Sequence, residues 1–207
     1  MKLDYYDLVL ITSGLVAIWC FSLAYLTHRR HKKKKRGRLL SGIGIGSLYA
    51  VSLCIFMDLL LRNLTGESFL TLALDGSYIP AAVFLAGAAL GVLYEYAGSF
   101  ALNLWYYPSV RHEHKLFLVL PFFWAIFMLI MQDTYAISRY LGLSETMAVI
   151  TTSLIPFALI EGINVYTKTW IYKGVLRQPV LLAVGWFILA ITFVVLFNKY
   201  LINPFGY

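Results

Sequence analysis

The chain has 207 residues, 60% of them hydrophobic and 13% charged, with a net charge of +7 and a mean hydropathy of +0.75. A soluble domain carries about 25% charged residues, so the composition excludes a separate soluble domain and implies one polytopic membrane domain over residues 1–207. Cys20 and Cys54 lie inside apolar segments with no CxxC or zinc-type spacing, which leaves redox and structural zinc roles without support.

Six apolar segments approach or exceed the roughly 20 residues that span a bilayer. Lipid offers backbone groups no partners, so such segments must be helical. They are apolar on every side, which excludes the alternating strands of a membrane barrel. The predicted fold class is an all-α integral membrane protein of six transmembrane helices.

The first span runs from Leu8 to Thr27. The opening "MKLDYYD" is acidic and the basic cluster follows the apolar segment, the reverse of a signal peptide, so this segment is expected to remain as a helix. Next comes "HRRHKKKKRGR", residues 28–38, with eight of the seventeen Lys and Arg residues. Such a cluster fixes topology and touches anionic lipid headgroups. It is also a candidate dock for a partner subunit. No folded module accompanies it, so nucleic acid is not an expected partner.

The second span, Leu39 to Leu61, carries Gly42 and Gly46 four apart, a spacing that lets helices approach closely. Asp58 and Arg62 near its outer end form an i,i+4 pair. The third span, Ile79 to Leu104, starts at Pro80 and repeats the glycine spacing at Gly87 and Gly91. It holds Glu95 past its middle, and Trp105-Tyr106-Tyr107-Pro108 follow. The loop "RHEH", residues 111–114, reads as solvated side chains with weak metal-ligand character, and no metal site is assigned.

The fourth span, Leu116 to Gln132, ends with Asp133 as an outer-surface charge. Ser144 caps the start of the fifth, which runs from Met147 to Tyr166. This span contains Pro156, expected to kink it and free a carbonyl, and Glu161. Trp170-Ile171-Tyr172 follow, and Val180 to Phe197 form the sixth span.

If the loops after spans one, three and five are cytoplasmic, they hold thirteen of the seventeen basic residues. This asymmetry places both termini outside and suits a plasma (inner) membrane. Glu95 and Glu161 then fall at overlapping depths on parallel spans. By helical rise, Glu95 sits about 15 Å along the axis from Trp105.

A charge at this depth costs roughly 2.5–3.5 kcal/mol, which argues for a polar cavity or internal pairing. Two readings stay open. In one, each Glu is a strut bonded to Asn103, Asn164, Tyr94 or a carbonyl near Pro156. In the other, Glu95 and Glu161 are an acid–base pair in a ligand or proton site, with Asn103, Trp105, Tyr107, Asn164, Trp170 and Tyr172 as substrate contacts. The aromatic clusters also read as interfacial anchors. Glu, Trp and Tyr recur in spans three and five with a one-residue gap, which suggests a parallel duplication of spans three and four in five and six.

The sequence has no nucleotide-binding glycine pattern, no HExxH and no GxSxG, so no cofactor is expected. Three functions fit. The first is a membrane-embedded enzyme or binder acting on an apolar, lipid- or isoprenoid-like substrate by acid–base chemistry. The others are a small proton-coupled transporter and a non-catalytic subunit or assembly factor of a membrane complex.

Overall fold

Residues 4–30, 35–108 and 116–206 are described by the computed structural model of the chain, as are their side chains except at 29–30, 35–43 and 116–118. Most of the basic stretch and the whole RHEH loop lie outside the described side chains.

Among the described residues, six helices are long and apolar enough to cross a membrane, and the protein is an all-α multi-pass membrane protein. Helix α1 is Tyr5–Arg30 and α2 is Lys35–Thr65. A short α3, Phe69–Leu74, precedes α4, Ile79–Glu95, which continues as a π-helical turn over Tyr96–Ala101. Then come α5, Leu116–Tyr140, and α6, Glu145–Thr167. The last span is α7, Pro179–Ala190, a second π turn, Ile191–Leu196, and α8, Phe197–Tyr200. Two-residue strands, β1 (Trp105–Tyr106) and β2 (Ile171–Tyr172), pair antiparallel.

Helix α5 is the centre of the bundle, packing against α2, α4 and α6. Glycine sets its distance from α4. A Cβ on Gly87 would lie 2.8 Å from Met128 Cβ and 2.9 Å from Ala125 Cα, and one on Gly91 would overlap Trp124. This is the close approach expected of small residues four apart.

Two expectations at the outer end are corrected. Helix α5 continues to Tyr140, so Asp133 is not a surface charge; it is 0% exposed, and no described residue donates to either oxygen. The polar run after it is still helical, and Thr134 Oγ1 and Ser138 Oγ find acceptors in carbonyls one turn back, each at 2.7 Å. The Asp58–Arg62 pair does not form. Asp58 instead accepts from the backbone N–H groups of Phe69 (2.7 Å) and Leu70 (3.2 Å), holding the start of α3. Arg62 turns to α1, 3.6 Å from Asp4 and stacked 3.6 Å from the Tyr6 ring centroid. Helix α6 runs unbroken through Pro156.

Candidate functional site

The third span ends earlier than the apolar run Ala101–Leu104 implies. Its π turn stops at Ala101, and Asn103 adopts φ 50°, in the left-handed region. The chain reverses there and β1 runs back toward the helix it left. The axial separation of Glu95 and Trp105 therefore collapses. Trp105 Nε1 donates to Glu95 Oε1 at 3.0 Å, and Tyr107 Oη donates to Oε2 at 2.9 Å. From α5, Trp124 Nε1 reaches Oε2 at 3.4 Å. These aromatic residues are ligands of a buried carboxylate, not free interfacial anchors.

The second half repeats the plan. Helix α6 ends at Lys168, φ 53°, and Asn103 and Lys168 are the two non-glycine residues of positive φ among those described. Strand β2 then carries Tyr172 back to Glu161, where its Oη donates to Oε1 at 2.5 Å. Trp186 Nε1, from α7, donates to the same oxygen at 3.1 Å, and Asn164 Nδ2 donates to Oε2 at 3.3 Å. The Asn164 amide is oriented by its own acceptor role, since Oδ1 takes the Trp170 backbone N–H at 3.2 Å. Trp170 Nε1 donates to Tyr172 Oη at 2.8 Å, which turns the tyrosine hydrogen toward Glu161.

The strand register relates the halves. Tyr106 pairs with Ile171 and Trp105 with Tyr172. A two-fold axis through the Tyr106–Ile171 pair carries Trp105 onto Trp170, Tyr107 onto Tyr172 and Asn103 onto Lys168, all by the same sequence offset. Glu95 and Glu161 depart from that offset by one residue. The π turn after Glu95, absent after Glu161, accounts for it, because such a turn holds one extra residue in a helix.

One substitution breaks the symmetry. Three residues after the glutamate stands Gly98 in one half and Asn164 in the other. A Cβ on Gly98 would overlap the Trp105 ring. The bare glycine lets that ring lie against the helix and its N–H reach Glu95. In the other half Asn164 serves the carboxylate itself, and Trp170 bonds the tyrosine instead.

Between the halves lies a cavity of about 670 Å³. Its wall is mainly aromatic and aliphatic, with the hydroxyls of Ser47, Thr167 and Thr169; among the described residues, Glu161 is the one carboxylate lining it and no Lys, Arg or His does. Glu95, 1% exposed, stands one layer back behind Trp105, Tyr107 and Trp124, all three of which line the cavity. Of the sequence-predicted contacts, Trp105, Tyr107, Trp170 and Tyr172 line it, and Asn164 supports Glu161 from behind. Asn103 is not in the wall. Its Oδ1 accepts from Lys173 Nζ at 2.6 Å, tying the two reversals together. Tyr94 does not serve Glu95 either; its hydroxyl meets Thr192 Oγ1 at 2.8 Å.

Both tyrosines are pushed well above the ordinary phenol value, chiefly by burial and then by the adjoining carboxylate. Each is a phenol, able to donate, throughout the neutral range. Trp124 and Trp186 escape a reading based on flanking clusters. The available signal is a tryptophan deep inside a span, where its N–H requires an acceptor and the only strong acceptors at that depth are the two glutamates. Comparisons with family models, curated proteins and solved structures return no match for the chain.

Proposed function

We propose that the protein is a membrane-embedded enzyme or binder that acts on an apolar, lipid- or isoprenoid-like substrate through acid–base chemistry of Glu95 and Glu161. The observation that carries this reading is Glu161, held by three donors on the wall of a largely apolar cavity of about 670 Å³. That volume lies within the roughly 300–1,000 Å³ usual for small-molecule sites. Leu102, Val184 and Ile188 line the cavity and are also exposed on the apolar exterior, which suits entry of a substrate from the bilayer.

Tyr107 is a partner of Glu95 on the cavity wall that can accept as well as donate, whereas an indole N–H only donates. It can pass a proton between Glu95 and the cavity. Glu161 meets the cavity directly and serves as the base or counter-charge. A proton delivered to one carbon and removed from a neighbouring carbon balances, leaving an isomer and consuming no co-reactant. A pure assembly role would be better served by carboxyls packed into separate helix contacts than by one on a cavity wall.

The test is deuterium incorporation. Proteoliposomes of the full chain are incubated in deuterium oxide with the neutral-lipid fraction of the expressing cells. Mass spectrometry should find an apolar species carrying carbon-bound deuterium with the wild type and not with Glu95→Gln or Glu161→Gln. Label that is absent with the wild type, or unchanged in both variants, removes the acid–base reading.

The same reading keeps both termini outside, in a plasma membrane. Single cysteines introduced into a background lacking Cys20 and Cys54 should react with an impermeant thiol reagent from outside at Gly66 and not at Gly174. The reverse pattern would invert the topology.

A further inference from the structure

We infer that the occupant of the cavity carries positive charge on an apolar skeleton, either permanently as an alkylammonium or transiently as a carbocation formed during turnover. The inference rests on the proposed site and names its ligand chemistry.

The argument is one of charge balance. Among the groups that meet the two carboxyls, six donate: Trp105, Tyr107 and Trp124 to Glu95, and Asn164, Tyr172 and Trp186 to Glu161. Four come from indole or amide nitrogens that cannot accept. Three of these donors, from Asn164, Tyr172 and Trp186, can hold Glu161 as a carboxylate. A buried carboxylate normally has a cation beside it. Two described basic side chains that follow Glu161 are engaged elsewhere. Lys173 bonds Asn103 and lies 4.8 Å from the Tyr106 ring centroid, and Arg177 Nε donates to the Tyr172 carbonyl at 3.2 Å. The described wall offers Glu161 no counter-ion.

The same wall is rich in aromatic rings. Trp105, Trp124, Trp170 and Trp186 line the cavity with Tyr107 and Tyr172. Aromatic faces attract cations, more so when water is excluded. A neutral hydrocarbon would gain from the apolar wall but leave the anionic charge unanswered. An apolar cation answers both. Small polar cations are disfavoured, because the apolar remainder of the wall cannot replace their hydration.

The experiment compares N,N-dimethylfarnesylamine, cationic at neutral pH, with its neutral isostere in which CH replaces the nitrogen. Binding to the purified full chain in nonionic detergent is read by tryptophan fluorescence and native mass spectrometry. The amine should bind at least about ten-fold more tightly than the isostere, and Glu161→Gln should erase that preference while leaving isostere binding in place. If Glu161→Gln does not fold, Trp186→Phe takes its place; it removes one donor to Glu161 but keeps a ring, and the amine preference should survive. Lipid extraction of the purified protein separates the two sources. A stoichiometric resident amine marks a permanent cation; a resident hydrocarbon displaced by the amine marks a cation formed in turnover. Equal affinity for the two probes, or a preference untouched by Glu161→Gln, overturns the inference. Failure of both probes to bind would instead remove the apolar-ligand reading beneath it.

Discussion

Gly98 and Asn164 occupy matching places in the two halves and decide which donors each glutamate receives. Adding one methyl at Gly98 drives it into the Trp105 ring. The ring must leave, and the bond from Trp105 to Glu95 goes with it. Overpacking costs about 1–3 kcal/mol, and losing a donor to a charged group adds about 1.5–3 kcal/mol. Gly98→Ala should therefore lower the melting temperature in detergent by several degrees and shift the tryptophan emission. Gly44→Ala is the control, since nothing lies within 4 Å of a Cβ there, and it should be neutral or slightly stabilising. Equal behaviour of the two variants would refute the packing argument.

Tyr107 and Tyr172 supply a pH test at the same scale. Their folded values stand well above the ordinary 10.0. The folded protein keeps these protons when the unfolded chain has lost them. The stability they contribute is complete below pH 10 and falls as pH rises beyond it toward the folded values. An absorbance titration of tyrosinate should show both residues titrating only with unfolding, and Tyr107→Phe should weaken the alkaline loss of stability. Full tyrosine titration in a still-folded protein would contradict this.

At the scale of elements, the spans were readable because lipid leaves the backbone only one solution. Their ends were less so. Ala-Leu-Asn-Leu after Ser99-Phe100 looks like more helix, and nothing apolar marks the reversal at Asn103. The signal was the asparagine itself, a residue that tolerates the left-handed region, repeated functionally by Lys168. Asp133 was misplaced for a related reason. A single acid followed by Thr reads as a helix end, yet hydroxyls that bond back to their own helix are satisfied without ending it. Asp58 gives the converse lesson, that an i,i+4 spacing does not make a pair when backbone donors are nearer. Helix α3 has six residues and depends on its caps, with Ser68 and Thr71 exchanging hydrogen bonds and Asp58 behind them. Asp58→Ala should raise hydrogen exchange at residues 69–74 while leaving 148–166 unchanged. No change at α3 would mean that the Ser68 capping box alone holds it.

For the whole molecule, the pseudo-two-fold relation explains why two glutamates recur among the same residue types. Each half supplies a carboxylate, a reversal, a returning tyrosine and a tryptophan from the next span. The echo was faint in the sequence because a π turn shifts one glutamate by a residue and because Trp124 and Trp186 lie far along the chain from the acids they serve. The halves are not equal, however. Glu161 faces the cavity, while Glu95 reaches it through Tyr107. That inequality is compatible with the proposed division of acid and base roles.

The central claim is that the cavity between the halves holds an apolar ligand. Gly185 lines it, and a Cβ there meets nothing within 4 Å, so Gly185→Phe should fill the space without disturbing the fold. Native mass spectrometry of the full chain, released from mild detergent, reads occupancy directly. The account predicts an apolar adduct on the wild type and its loss from Gly185→Phe at an unchanged melting temperature. The same adduct at the same occupancy on both proteins, or none on the wild type, would contradict it.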